Sequence, residues 1–168
     1  DHTSNNFQAA VIVTSGNNVT LVDAGAIDLG ASTVSGTYTV TAGGAVTDSG
    51  TQEIAGVTTI AAGSGNNITL NTSTNNFAAA VVITSGNNVT LVDEDAINLG
   101  ASTISGTYTL TAGGAVTDTG ALAITGVTTL AAGSGNNITL DHTSNNFQAA
   151  VKITSGNNVT LVDAGAID

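Results

Sequence analysis

The eight residues GNNVTLVD occur three times in the chain at a constant spacing, beginning at Gly16, Gly86 and Gly156. No insertion or deletion disturbs this spacing, so the chain is built from tandem units. The units are 1–70, 71–140 and a partial third unit, 141–168. A fixed period is typical of repeat arrays, in which each unit packs against its neighbours. We therefore expect one continuous solenoid segment over residues 1–168.

Each unit consists of short runs of β-favouring residues that are closed by Gly, Asn or Asp. Apolar side chains alternate with polar ones in these runs, as at Val19 and Leu21 and at Ile27 and Leu29. This period of two is typical of strands. No stretch has helical spacing of apolar residues, and Gly, Thr, Val and Asn are weak helix formers. The sequence therefore predicts an all-β fold.

The spacing of aliphatic residues within one unit favours a parallel winding. Leu21, Val40 and Ile60 each precede a turn, and they are 19 and 20 residues apart. A step of about 20 residues corresponds to one circuit of a three-sided parallel β-helix, so three circuits account for about 60 residues. The surplus of about 10 residues is assigned to 71–79, as an extension around Asn-Asn-Phe. The prediction is a β-solenoid with about three coils per 70-residue repeat, since a four-coil winding needs two coils that are too short.

Differences between the copies predict which residues face the core. Ile12 and Val82 are replaced by Lys152 in the third copy, so this position should face water. Val40 is replaced by Leu110, a conservative aliphatic exchange expected of a core position. Polar exchanges gather in three segments that we expect to be exposed turns: 1–4, 24–25 and 51–53. The first and third copies differ at only two of the positions that they share, so a true period of two units is also open.

Composition predicts a thin core of Val, Ile, Leu and Ala, because only 3% of the residues are aromatic and Cys, Met and Trp are absent. Burial of about six aliphatic side chains at about 1.5–3 kcal/mol each does not offset the entropy of ordering about 20 residues. A single coil is therefore unstable by itself, and coils must stack. We expect end-to-end self-association with further repeats or with copies of the same chain.

The charge of the chain argues against several partners. One cation, Lys152, stands against twelve carboxylates, which gives a net charge of −11. Such a chain repels nucleic acid and anionic lipid. The apolar runs are too short for membrane insertion. We expect no nucleic-acid partner and no membrane insertion.

Asn pairs are the most repeated polar feature, and two structural interpretations of them are open. The pairs lie at 5–6, 17–18, 66–67, 75–76, 87–88, 136–137, 145–146 and 157–158. Asn tolerates the left-handed backbone conformation of tight turns. Alternatively, Asn amides of successive coils stack into hydrogen-bonded ladders.

No catalytic, cofactor or metal residue is predicted. The densest acidic cluster, 93–95, is a candidate Ca²⁺ site because carboxylates bind this ion. The other copies have Asp-Ala-Gly there, however, and no known calcium-loop pattern occurs. His2 and His142 lie in polar turns without a second ligand nearby in sequence. Cleavage of a polysaccharide needs a cation or a carboxylate pair at the site, and the chain supplies neither convincingly. We expect that the protein is not an enzyme.

Residues 37–41, Thr-Tyr-Thr-Val-Thr, place alternate Thr side chains on the outside of a coil. This pattern resembles the Thr rows of ice-binding solenoids. Only one circuit per unit carries it, however, and a flat array needs Thr on consecutive circuits. A carbohydrate- or ice-binding surface is therefore the alternative function.

The segments TVTAGGAVTDSG (39–50) and GNNVTLVDAGAIDLG (16–30) resemble the repeats of filamentous-haemagglutinin-like exoproteins, the large bacterial adhesins of two-partner secretion. The resemblance covers the whole chain. It implies a right-handed β-helix, an extracellular or cell-surface location, and a spacer role that holds a distal binding tip away from the cell. The function expected is a structural segment of a long fibre or adhesin stalk, with glycans bound through regions outside these residues.

Overall fold

A computed structural model describes residues 2–167, and within them the chain forms 21 β-strands and no helix. Every registered strand pair is parallel. The strands are β1 (Val11–Gly16), β2 (Val19–Asp23), β3 (Ile27–Val34), β4 (Tyr38–Ala42), β5 (Val46–Asp48), β6 (Gln52–Ile54), β7 (Thr58–Ala61), β8 (Ile68–Leu70), β9 (Asn76–Phe77), β10 (Val81–Ser85), β11 (Val89–Asp93), β12 (Ile97–Leu99), β13 (Ser102–Ile104), β14 (Tyr108–Ala112), β15 (Val116–Asp118), β16 (Leu122–Ile124), β17 (Thr128–Ala131), β18 (Ile138–Leu140), β19 (Asn146–Phe147), β20 (Val151–Ser155) and β21 (Val159–Leu161).

Two long sheets form the principal faces of a β-solenoid. Face I consists of the first half of β3 (27–29), followed by β5, β8, β11, β14, β17 and β20. Face II consists of β2, β4, β7, β10, β12, β15, β18 and β21. Each coil contributes one strand to face II, so the chain makes about eight coils. With neighbouring strands about 4.8 Å apart, the stack is about 34 Å long.

Equivalent strands of successive repeats lie on opposite faces. The strands β2 and β11 share the sequence VTLVD, yet β2 belongs to face II and β11 to face I. The chain returns to the equivalent strand on face II at β21, which is the copy of β2 two repeats later and lies seven coils further along the stack. One repeat therefore makes three and a half coils. The predicted parallel β-solenoid is confirmed, and the predicted count of about three coils is refined by half a coil.

A short third strand completes the coils, and the face to which the next strand belongs changes from one repeat to the next. The third strands of the earlier coils are 32–34 of β3, β6 and β9, within residues 32–77, and each precedes a strand of face II. Their equivalents one repeat length later, β13, β16 and β19 within residues 102–147, form a separate sheet, and each precedes a strand of face I. The three-sided coil is thus present in both repeats and is turned by half a coil between them.

Alternation along each strand places the aliphatic residues inside. In β11, Val89 and Leu91 are 1% exposed, whereas Thr90 and Val92 point outward. Ile12 is 64% exposed, and Lys152 is also exposed. The prediction that position 12 faces water is confirmed.

Two predictions about the core were wrong. The core is not only aliphatic, because Tyr38, Tyr108, Phe77 and Phe147 all lie inside it at 3% exposure or less. Residues 71–79 do not form an extension, because β9 pairs with β6 and brings Phe77 into the interior. Burial of this large apolar side chain favours a place in the wall over a protrusion. The surplus residues instead lengthen whole coils, such as the 23-residue step from Glu53 to its partner Asn76.

Candidate functional site

An aspartate closes the GNNVTLVD segment in each copy; it is buried at Asp23 and Asp93 and half-buried at Asp163. Asp93 is 2% exposed, and its Oδ2 accepts a hydrogen bond of 2.8 Å from the backbone N–H of Phe77 in the preceding coil. Its Oδ1 accepts a hydrogen bond of 2.9 Å from the N–H of Asp95. Asp23 and Asp163 make the equivalent pairs of bonds in their copies. This side chain therefore joins one coil to the next.

The acidic cluster 93–95 is not arranged as a metal site. Both oxygens of Asp93 accept backbone hydrogen bonds, while Glu94 and Asp95 are exposed. Within residues 2–167 no three His, Asp or Glu side chains come together in a way that could hold a metal ion. Burial raises the pKa of Asp93, its two backbone hydrogen bonds lower it, and the negative charges of Asp95 and Glu94 raise it further. The cluster is a site of charge repulsion.

The two histidines contact only their own turns in the bonds that the structure shows. Nδ1 of His142 accepts a hydrogen bond of 3.2 Å from the N–H of Ser144. Nδ1 of His2 accepts one of the same length from Ser4 and lies 2.8 Å from the Ser4 hydroxyl oxygen. These bonds order the turn.

The Asn pairs do not take the left-handed conformation that was the first of the two interpretations. Within the described part of the chain, positive φ values occur only at Gly63 (81°) and Gly133 (76°). Instead, Asn67 Oδ1 accepts hydrogen bonds from the N–H and Nδ2 of Asn88, at 3.2 and 3.3 Å. Asn88 Oδ1 in turn accepts bonds of 3.0 Å from the N–H and hydroxyl of Thr107. Side chains at this corner form a ladder from coil to coil.

A second set of Asn residues is fully buried, which sequence reasoning missed. Asn75 is 0% exposed; its Oδ1 accepts a bond of 2.9 Å from the N–H of Gln52, and its Nδ2 donates one of 2.6 Å to Asp48. Gln52 was expected in an exposed turn but is 0% exposed, because it occupies the inward position of β6. Its Nε2 donates bonds of 2.8 Å to the carbonyl oxygens of Gly30 and Gly50. The sequence contained one signal of this pairing, because the equivalent residues Asp118 and Asn145 keep the spacing of Asp48 and Asn75.

Face I carries an unbroken column of threonines on consecutive coils. Strand register places these side chains directly over one another, and they are Thr47, Thr69, Thr90, Thr109 and Thr129. None of the five hydroxyl groups has a hydrogen-bond partner within residues 2–167. The expectation that only one circuit per unit carries outward Thr was wrong. Because repeats alternate between faces, strands from different parts of the unit come together in one column.

The corresponding column on face II is interrupted. It begins with Thr20, Thr39 and Thr59 and continues with Val82. It resumes at Asn98, which is followed by Thr117, Thr139 and Thr160. Both faces therefore carry outward threonines, but face I has five on consecutive coils whereas face II has runs of three.

Two shallow clefts each contain a single carboxylate. The first, of about 260 Å³, is lined by Thr33, Glu53 and Asn76 among others. The second, of about 240 Å³, is lined by Phe7, Asp28 and Thr47 among others. A glycosidase requires two facing carboxylates. Neither cleft has this arrangement.

Tandem units that wind into stacked parallel coils define this chain as a repeat-built β-solenoid protein. Residues 16–84 and 86–154 match the family described as repeats of unknown function (DUF5649). These matches cover well over half of the chain, which therefore belongs to this family. No curated protein and no solved structure matches the chain. Nothing in the described range forms a helix long and apolar enough to cross a membrane.

Proposed function

We propose that this chain is a structural segment of a long extracellular or cell-surface fibre, an adhesin stalk, and that it performs no catalysis. The observation that supports this proposal is the continuity of the wall across the boundary between repeats. Strand β7 pairs with β10, and β8 pairs with β11, on either side of that boundary. The core residues Ile83 and Leu91, just past the boundary, are 1% exposed. Repeats joined in this way form a rod without a hinge.

Rod length follows directly from this winding. Each repeat adds three and a half coils, which is about 17 Å of rod at the spacing of strands in a sheet. Stability also grows with repeat number, because each coil is stabilised by the coils on both sides. A stalk built from such units gains reach by duplication of one sequence.

The core of the solenoid also supports end-to-end association as part of this proposal. Val81 and Ile83 lie between two coils and are 1% exposed. Their equivalents Val11 and Val13 are only partly buried. A further coil stacked on the outer coils, from more repeats or from another copy, buries this apolar surface. Glycans would be bound by regions outside these residues.

Length measurement tests the stalk proposal. Arrays with two, four and eight copies of unit 71–140 are compared by small-angle scattering and electron microscopy. We expect a length increase of about 17 Å per repeat at constant width. A matched array with a flexible Gly/Ser linker between Leu140 of one copy and Asn71 of the next should bend at each linker. Parent arrays that bend equally, or whose length does not grow with repeat number, would contradict the proposal.

Location is tested separately. Antibodies against the chain are applied to intact and permeabilised cells of the organism that produces it. Labelling of intact cells is expected. Labelling only after permeabilisation would remove the cell-surface role while leaving the rod itself in place.

A further inference from the structure

The threonine column of face I is regular in one direction along the rod. Its five members come from consecutive coils in uninterrupted register, from β5 to β17. Backbone hydrogen bonding between parallel strands sets the spacing at about 4.8 Å, so the column is about 19 Å long. The hydroxyl groups therefore form a periodic array whose spacing is imposed by the backbone.

The side chains of this array are ordered before anything binds. Four of the five, from Thr69 to Thr129, are half-buried between their neighbours, and Thr47 is exposed. A β-branched side chain has few rotamers in a strand. Each hydroxyl group can both donate and accept, and none of the five has a protein partner in the described range. A partner therefore meets hydroxyl and methyl groups already in place, with little loss of side-chain entropy.

The column is uncharged although the protein carries a net charge of −11. One neighbouring column contains Asn67, Asn88 and Thr107, and the other contains Val92, Thr111 and Ala131. The nearest charged residues in register with the column lie one coil beyond its two ends: Asp28 is paired with Thr47, and Lys152 with Thr129. This surface suits a neutral partner and offers nothing to an ionic one.

The same surface lacks the groups that hold a sugar ring. The column has no aromatic member, and Tyr108, on the strand of Thr109, points into the core at 2% exposure. Sugar recognition by ring stacking would require an exposed aromatic face. A water lattice requires only regularly spaced hydroxyl and methyl groups.

We propose that face I binds ice, an ordered water lattice, through Thr47, Thr69, Thr90, Thr109 and Thr129. The hydroxyl groups take positions in the outermost layer of the lattice, and the methyl groups between them exclude disordered water. This activity goes beyond the stalk role, since it needs only one face of the rod and leaves the core untouched.

The repeat supplies a matched control for this proposal. Thr39 has the same local sequence as Thr109 except for Val40 in place of Leu110, and it lies one repeat earlier, but it belongs to the interrupted column of face II. Thr109→Tyr and Thr39→Tyr therefore make the same local change and differ in which column they disrupt. Thr90→Tyr and Thr20→Tyr form a second such pair if the first does not fold.

The experiment measures partition of the whole chain into slowly grown ice, together with thermal hysteresis. We expect the parent to enter ice, Thr109→Tyr to lose about tenfold in partition, and Thr39→Tyr to stay close to the parent. Circular dichroism confirms that each variant keeps its β-structure. Exclusion of the parent from ice, or an equal loss in both variants, would overturn the proposal. So would retention of the parent on insoluble cellulose without entry into ice, because that result identifies a glycan surface.

Discussion

The Nδ2 group of Asn145 donates a hydrogen bond of 2.7 Å to Oδ2 of Asp118, across a gap of 27 residues. Asn145 is 0% exposed, and its Oδ1 accepts a bond of 2.9 Å from the N–H of Leu122. Oδ1 of Asp118 accepts a further bond of 3.0 Å from the N–H of Asp141. The pair thus satisfies polar groups of neighbouring coils at a buried corner, and loss of either partner leaves the other unsatisfied.

Replacement of Asn145 by Leu should destabilise the protein. The change leaves a carboxylate oxygen of Asp118 and the N–H of Leu122 without partners, at about 1–3 kcal/mol for each buried group. Urea unfolding measures the loss. The matched control is Asn5→Leu, because Asn5 is the equivalent residue but its side chain makes a single hydrogen bond within residues 2–167, of 3.3 Å to the carbonyl oxygen of Val22. Equal losses in the two variants would show that the bond to Asp118 is not the cause.

Replacement of Gln52 by Leu should be tolerated or slightly stabilising. Leu122 is the equivalent residue of the second repeat, so this change copies a coil that already exists. Oε1 of Gln52 is buried without a partner, and the carbonyl oxygen of Gly30 keeps a bond from the Ser32 hydroxyl. We expect a gain of up to about 1 kcal/mol in the free energy of unfolding. A loss above about 2 kcal/mol would mean that the Gln52 bonds to the glycine carbonyls dominate.

Much of the fold follows from the repeats because strands obey a strict alternation. The exposed Lys152 identified the outward side of its strand, and the Val40/Leu110 exchange identified a core position at 0% exposure. The half-coil offset does not follow in the same way. It depends on coil lengths, which range from the 18-residue step between Val81 and Leu99 to the 23-residue step between Thr58 and Val81. A coil length is the number of residues between two paired positions, so it is known only once the strand pairing is known.

The threonine column shows the consequence of that offset. Its members Thr47, Thr69 and Thr90 occupy unrelated positions of the repeat unit, so no motif in the sequence connects them. Only the sum of the coil lengths places them on one face. The buried Asn75 was missed for a similar reason, since its partner Asp48 lies 27 residues away in the previous coil.

Lysine substitutions at adjacent positions of β10 test the alternation. Val82 points outward and has Lys152 as its equivalent, so Val82→Lys should change stability by less than about 0.5 kcal/mol. Ile83 is 1% exposed, and Ile83→Lys should cost more than about 4 kcal/mol because it buries an unpaired charge. Thermal unfolding followed by circular dichroism compares the two. Similar costs at both positions would contradict the register of this strand.

Glycines at two kinds of turn should respond oppositely to alanine. A Cβ atom on Gly56 would overlap the backbone carbonyl group of Gly36 in the neighbouring coil, so Gly56→Ala should destabilise by about 1–3 kcal/mol or more. A Cβ on Gly65 meets nothing within 4 Å. Gly65→Ala should therefore stabilise by about 0.4–1 kcal/mol, through the lower entropy of the unfolded chain. The free energy of unfolding in urea measures both effects. If Gly56→Ala were tolerated, the coils would be further apart at this turn than the structure describes.

The acidic cluster should make stability depend on pH, and the first repeat provides the sequence that relieves it. The folded pKa of Asp93 is raised above the ordinary value of 3.8, first by burial and then by repulsion from Asp95 and Glu94. Between 3.8 and the raised value the folded state binds more protons than the unfolded state, so this group's contribution to the free energy of unfolding falls as pH rises.

The double variant Glu94→Ala/Asp95→Gly copies Ala24 and Gly25 of the first repeat and removes the repulsion but not the burial. We expect the variant to gain stability over the parent at about pH 7 and to lose that advantage at about pH 3. Urea unfolding of both proteins across this range measures the difference in stability. If the advantage of the variant were constant with pH, or grew as pH falls, repulsion at Asp93 would not be the cause of that advantage.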